Sequence, residues 1–208
     1  DPRVTAIDGT HYIFYTALGG FPFTADNIRI AVAISKDLKT IDEKHLVTPF
    51  NAKAMVLFPE KINGEYVAIL SVNTDRKPSF ICIARFKNIE DIWSEEYWNA
   101  WYADLDRHKL YVSRYHTDQV EVGAAPLKTP QGWLLIYSHI QDYGSERPVF
   151  GIEALLLDLD NPQQILHRTK GPMMVPEEYY ECIGVVPNIV FPSGALLRGN
   201  VLEIYYGG

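Results

Sequence analysis

The apolar positions of this chain fall into short strand-like runs, and four of those runs are entered through a turn glycine. The four stretches are IDGTHYIFYTA, INGEYVAIL, TPQGWLLIYSH and LRGNVLEIYYGG, with glycines at Gly9, Gly64, Gly132 and Gly199. The spacings are 55, 68 and 67 residues. Each stretch predicts a hairpin turn opening into a strand, with glycine supplying the positive φ that tight turns need. A proline-bearing strand precedes each turn: DPRVTAI, LFPEKI, AAPLKT and VVPNIVF. A further strand follows the first three copies: RIAVAISKDLKTI, SFICIARFKNIEDIW and FGIEALLLDLDNPQQIL. An apolar piece such as KHLVTPF or GPMMVPEE then closes the unit.

Four antiparallel strands recurring at a fixed period predict a β-propeller, with a β-sandwich as the bland alternative. Proline cannot donate to a ladder and belongs on an edge strand. Pro2, Pro59, Pro126 and Pro187 are therefore expected to mark innermost strands, whose neighbours line a central channel. The count gives about three and a half blades, treated as one domain over residues 1–208. Both ends fall inside a predicted unit. The missing blade material is expected from sequence outside these residues or from another chain, so a homo-oligomer is one expectation.

Composition changes this picture little. The 208 residues carry a formal net charge of −7, which argues against nucleic acid or an anionic membrane as partner. No apolar stretch approaches the ~18 residues of a membrane span. No secretory signal pattern opens the chain, and a cytoplasmic location is favoured. Cys82 and Cys182 stand alone and predict buried thiols, with no metal-ligand spacing around them. The 13 Tyr, 9 Phe and 4 Trp suit a β core and would also suit sugar stacking. Trp133, Tyr137, Tyr205 and Tyr206 are expected in the core.

The stretches DPRVTAIDGTHYIFYTA, NAKAMVLFPEKINGEY, GAAPLKTPQGWLLIY, ALLLDLDNP and GVVPNIVFPSGALL…LEIYYGG resemble glycoside hydrolase family 130. The resemblance runs along essentially the whole chain and in order. It implies a five-bladed β-propeller acting on β-mannosides, either as a phosphorylase or as a β-1,2-mannosidase. It places the general acid on Asp1. Arg3, two residues along the same strand and so on the same face, becomes a substrate-binding candidate. Lys53, His139 and Asn188 are further substrate-binding candidates.

Several positions depart from the phosphorylase pattern. Asn51-Ala52-Lys53-Ala54 keeps the lysine but lacks the acid, and Leu70-Ser71-Val72-Asn73 lacks an arginine. Tyr137-Ser138-His139 shifts the histidine by one, and Phe150 stands where a tyrosine is expected. Each lost bond to a charged group removes roughly 1.5–3 kcal/mol of phosphate affinity. The expectation is therefore an inverting glycosidase with an Asp general acid. The alternatives are a phosphate-dependent β-mannoside phosphorylase and a non-catalytic sugar-binding propeller. A hydrolase needs a base about 6.5–9.5 Å from the acid. Glu181 and Glu153 are the candidates. Glu181 otherwise reads as a solvated strand-end acid, and Glu153 as a salt-bridge partner of Arg147 or Lys128. Glu60 is expected to pair with Lys61. No cofactor or metal is expected, with inorganic phosphate a co-substrate only for a phosphorylase. The expected partner is a mannose-containing oligosaccharide.

Overall fold

The computed structural model describes residues 2–208; Asp1, the acid candidate, lies outside them. The fold is all-β with few helices. The first sheet is a meander of β1 (Arg3–Ile7), β2 (Thr10–Leu18), β3 (Ile28–Ser35) and β4 (Glu43–Leu46). The second runs β5 (Ala52–Leu57), β6 (Tyr66–Val72), β7 (Phe80–Phe86) and β8 (Lys109–Leu110). The third contains β9 (Gln119–Val122), β10 (Leu127–Thr129), β11 (Gly132–Gln141), β12 (Val149–Leu157) and β13 (Ile165–Arg168). The last is a hairpin of β14 (Phe191–Arg198) and β15 (Val201–Gly207). All ladders are antiparallel.

The hairpin turns follow the sequence signal. Asp8 and Gly9 have φ of 50° and 77°, and Asn63 and Gly64 have 53° and 81°. Positive φ at both central positions matches the right-handed twist of the flanking strands. Gly132 serves a different need, because a Cβ there would sit 2.4 Å from the Leu157 carbonyl oxygen.

The prolines mark edges without sitting in the strands expected. Pro2 precedes β1, and Pro59 follows β5. Pro187 lies before β14, which carries Pro192 instead. Pro126 sits in the break between β9 and β10, which pair with successive parts of β11. Two amides, of Gly123 and Ala124, share the Ile136 carbonyl at that break, which bulges the edge.

The closing strand of the third sheet is Ile165–Arg168 rather than GPMMVPEE, which makes only one bridge, through Met174 to Ile152. Helix α1 (Glu95–Ala103) was not foreseen. Ser94 caps it, its hydroxyl accepting from the Tyr97 amide at 3.3 Å. It drives Trp98 and Trp101 into the core between the first and second sheets. A second core joins sheets two and three, around Trp133 and Tyr137. A third, smaller one joins sheets three and four. Tyr205 departs from its expected core place and is 52% exposed. First strands β1, β5 and β9 touch in sequence, and β10 touches β14.

Candidate active site

Where the sheets converge lies a cavity of about 900 Å³, with walls from all four of them. Thr16 and Leu18 come from β2 and Lys53 from β5. Glu121 comes from β9, Phe150 from β12, and Phe191 and Tyr206 from the last hairpin. The turn residues Asp75 and Tyr143 complete its polar side. Three lining groups carry charge: Lys53, Asp75 and Glu121.

Lys53 owes its place to a bulge. The β5–β6 register slips between Lys53 and Val56, and Ala54 takes φ 54°. Bulges of this kind re-aim a neighbouring side chain. Lys53 Nζ reaches Asp75 Oδ2 at 2.5 Å. The turn bearing Asp75 is tied down by Asn51. The Asn51 carbonyl oxygen accepts from the Asn73 amide at 3.1 Å, and its Oδ1 accepts from the Thr74 hydroxyl at 3.2 Å. The stretch Leu70–Asn73 does lack an arginine, but this turn supplies Arg76, whose guanidinium pairs with Asp26.

Glu121 is the carboxylate that sequence reasoning missed. It faces Ser138 across the β9–β11 ladder. Burial holds its carboxyl above the usual range, opposed by Lys53, reinforced by Asp75 and opposed again by Arg3. A glutamate between two valines in VEV carried the same signal that singled out Glu153. Asp75, in a polar turn, carried none.

Glu181 is not a solvated strand-end acid. It lies on α2 (Tyr179–Cys182) and is buried. Its Oε2 accepts from the amides of Glu177 (2.9 Å) and Glu178 (3.0 Å), and its Oε1 accepts from the Tyr206 hydroxyl at 2.6 Å. These bonds, the Glu177 amide foremost, hold its carboxyl down at about 2. It stands behind the cavity wall and supports the wall's Tyr206.

Glu153 is fully buried, and its partners are neither Arg147 nor Lys128. Arg114 grips it through two bonds of 2.9 Å, and the Tyr137 hydroxyl donates at 2.6 Å. Arg168 lies 3.8 Å away. Burial pushes its carboxyl up, but the Arg114 and Tyr137 bonds and nearby His139 outweigh that and leave it below the usual range. His139 is in the same cluster, Nε2 to Asp118 Oδ2 at 2.8 Å, rather than on the cavity.

Arg3 is buried beneath β9. Its Nε donates to the Gly123 carbonyl at 2.7 Å and its Nη2 to the Val122 carbonyl at 3.0 Å. Burial lowers it to about 10. It fastens the first sheet to the third beside the cavity. Asn188, at φ 58°, gives its carbonyl to the Phe150 amide at 3.0 Å and so clips cavity-lining Ile189 onto β12. Glu60 pairs with Lys128 at 2.5 Å, while Lys61 stands over the Tyr66 ring. Lys53 is thus the one substrate-binding candidate, among the described residues, whose side chain lines the cavity.

The family model Glyco_hydro_130, described as β-1,4-mannooligosaccharide phosphorylase, matches residues 1–208. The chain is 35% identical over 211 residues to a 1,2-β-oligomannan phosphorylase of Thermoanaerobacter sp. (strain X514), covering 100% of this chain and 64% of that protein. It is 33% identical to a β-1,2-mannobiose phosphorylase of Listeria innocua serovar 6a, covering 100% of this chain and 54% of the relative. The solved structure of β-1,2-mannobiose phosphorylase from Listeria innocua, in complex with β-1,2-mannobiose, aligns with a TM-score of 0.77 at 30% identity. That alignment covers 100% of this chain and 54% of the other. The chain spans between about half and two thirds of the length of these relatives.

Proposed function

The chain belongs to glycoside hydrolase family 130, and on that premise we propose that it supplies much of the catalytic domain of a β-mannoside phosphorylase. The bond from mannose C1 to the bridging oxygen breaks. The general acid, Asp1 by family resemblance, gives that oxygen its proton. A phosphate oxygen attacks C1 from the opposite face, and inversion yields α-mannose 1-phosphate and a shortened acceptor. The four sheets, each packed on the next, are read as blades of a five-bladed propeller, one domain of which this chain carries about three and a half blades. The substrate is a mannose-containing oligosaccharide, the co-substrate inorganic phosphate, and the setting cytoplasmic.

The carrying observation is the cavity walled by all four sheets with Lys53 on its face. A lysine there offers the cation a phosphate dianion requires. The named relatives, phosphorylases all, support phosphorolysis over the hydrolysis that the departures at Leu70–Asn73 and Phe150 favoured. Hydrolysis keeps one specific support. Glu121 is a cavity carboxylate whose raised proton affinity suits a general base acting on water.

The test incubates the full-length protein with β-1,2- and β-1,4-mannobiose, with and without phosphate. Mannose 1-phosphate formed only when phosphate is present is expected. Free mannose released equally in both conditions would favour the Glu121 hydrolase. No cleavage of either disaccharide removes both readings.

A further inference from the structure

The connection between β2 and β3, residues 19–27, carries the most exposed pair of aromatic rings in contact among the described residues. Phe21 is 87% exposed and Phe23 63%, and they meet edge to face with centroids 5.6 Å apart. A contiguous exposed apolar patch, unlike a single exposed side chain, marks an interaction surface. Here the location is specific. The two residues that flank the connection, Leu18 and Ile28, are a registered pair across β2 and β3, and both line the central cavity.

The loop is held in place. The Gly19 amide donates to the Asn27 carbonyl at 2.8 Å and closes its base. Its second half is tied to the second sheet twice. Asn51 Nδ2 donates to the Ala25 carbonyl at 2.7 Å, and Arg76 pairs with Asp26. Asn51 is two residues from Lys53, and Arg76 is next to Asp75, so the ties run to the wall that holds the cavity's ion pair. These ties hold the second half of the connection, just after Phe23, against the wall that carries the cavity's ion pair.

We propose that Phe21 and Phe23 form an aromatic platform for a mannosyl unit beyond those held in the cavity, and that this loop sets a preference for longer oligosaccharides. The apolar C–H face of a pyranose packs on a ring face without needing a charged group. The inference rests on the mannoside reading given above. It adds that substrate length is read outside the cavity.

The test compares the wild-type full-length protein with Phe21→Ala/Phe23→Ala on β-1,2-linked mannobiose, mannotriose and mannotetraose. Both rings are exposed, so the fold should survive the change. The expected result is a loss of about tenfold in kcat/KM for the trisaccharide and longer, carried by KM, with mannobiose unchanged. Phe21→Tyr/Phe23→Tyr should restore the preference. Equal effects on all lengths, or no effect on any, would overturn the platform. So would a change in oligomeric state on ultracentrifugation, which would assign the rings to a contact between copies. Calorimetric titration with mannobiose and mannotriose separates the two readings. A protein that cleaves no mannoside but binds the trisaccharide more tightly, in a way lost in the double variant, keeps the platform and sinks the phosphorylase. Turnover of mannobiose with no length preference does the reverse.

Discussion

Lys53 and Asp75 form an ion pair on the cavity wall, Nζ to Oδ2 at 2.5 Å, with the lysine about a quarter exposed. On the phosphorylase reading, an incoming phosphate must compete with Asp75 for the same ammonium and approach the Asp75 charge. Lys53→Met should therefore raise KM for phosphate about 10- to 100-fold, the equivalent of one charge-assisted bond. Asp75→Asn should lower it by about threefold, since the competitor becomes neutral. Initial rates against phosphate at saturating mannobiose read both. An unchanged KM for phosphate in Lys53→Met would remove Lys53 from the phosphate site.

Glu121 makes a prediction of opposite sign for stability and activity. Burial raises the proton affinity of its carboxyl in the folded chain. A carboxyl whose folded pKa lies above its unfolded value favours folding at low pH. That contribution is lost as pH rises from the unfolded value through the folded one. At pH 7 the ionised group therefore costs stability, and Glu121→Gln should raise Tm there. The gain should vanish below about pH 4, where both proteins carry a neutral side chain. If Glu121 is a general base, the same variant should lose about 10²- to 10⁴-fold in phosphate-independent turnover. Thermal melts at several pH values and rates with and without phosphate separate the two effects. A gain over wild type no larger at pH 7 than at pH 4 contradicts the burial argument.

The strand order was legible because each repeat carries its own local signals, a positive-φ glycine turn and an apolar run. Helix α1 was not, because Trp98 and Trp101 reach the core from a segment whose place is set by the sheets beneath it. The site was partly legible. Lys53 stood out by family pattern, and its cavity place depends on a bulge at Ala54 that no turn residue announces. Glu153 was visible as a charge in an apolar strand, but its partner Arg114 is 39 residues away, on the irregular connection between β8 and β9. Glu181 was misread because its carboxylate is held by the amides of Glu177 and Glu178 at a short helix no signal announces, and by Tyr206, which only the last hairpin brings near. Asp75 and Tyr143 reach the cavity on turns, where composition carries no hint of direction.

Arg114, on the connection between β8 and β9, grips Glu153 of β12, and their pairing should matter to stability more than to chemistry. The carboxylate is fully buried and receives two bonds from Arg114 and one from Tyr137. Removing one partner leaves the other charge poorly compensated. Glu153→Gln should cost about 3 kcal/mol at pH 7, the lower end for breaking a buried pair, because Arg114 keeps some contact with water. Replacing both, as Glu153→Leu/Arg114→Met, should cost less than the sum of the single changes. The folded carboxyl sits below its usual range, so the pair's contribution is present above the unfolded pKa. It fades as pH falls through the folded one. Urea unfolding at pH 7 and pH 3 measures this. Additive single-variant losses would show that the two groups do not act together.

Tyr206 couples the cavity wall to Glu181, and this link should appear in the acid limb of stability. The Glu181 carboxyl is held at about 2 by two backbone amides and the Tyr206 hydroxyl. A depressed carboxyl stabilises the fold above its unfolded pKa of about 4.3, and that share is lost as pH falls towards 2. Tyr206→Phe removes one of the three bonds and leaves the two amide bonds. The carboxyl should then titrate at higher pH, though still below the usual range, and acid unfolding should begin earlier. Glu181→Gln has no charge to lose, so the slope of stability against pH between about 4.3 and 2 should flatten. The Tyr206 hydroxyl gives its proton to Glu181 and accepts one from the Tyr180 hydroxyl at 3.1 Å. Tyr206 also lines the cavity, so on the mannoside reading Tyr206→Phe should raise KM for the mannoside while leaving KM for phosphate unchanged. Stability against pH for both variants, together with the two Michaelis constants, tests the link. Identical acid limbs in wild type and Tyr206→Phe would show that the backbone amides alone hold the carboxylate, and the hydroxyl's role would then reduce to the cavity.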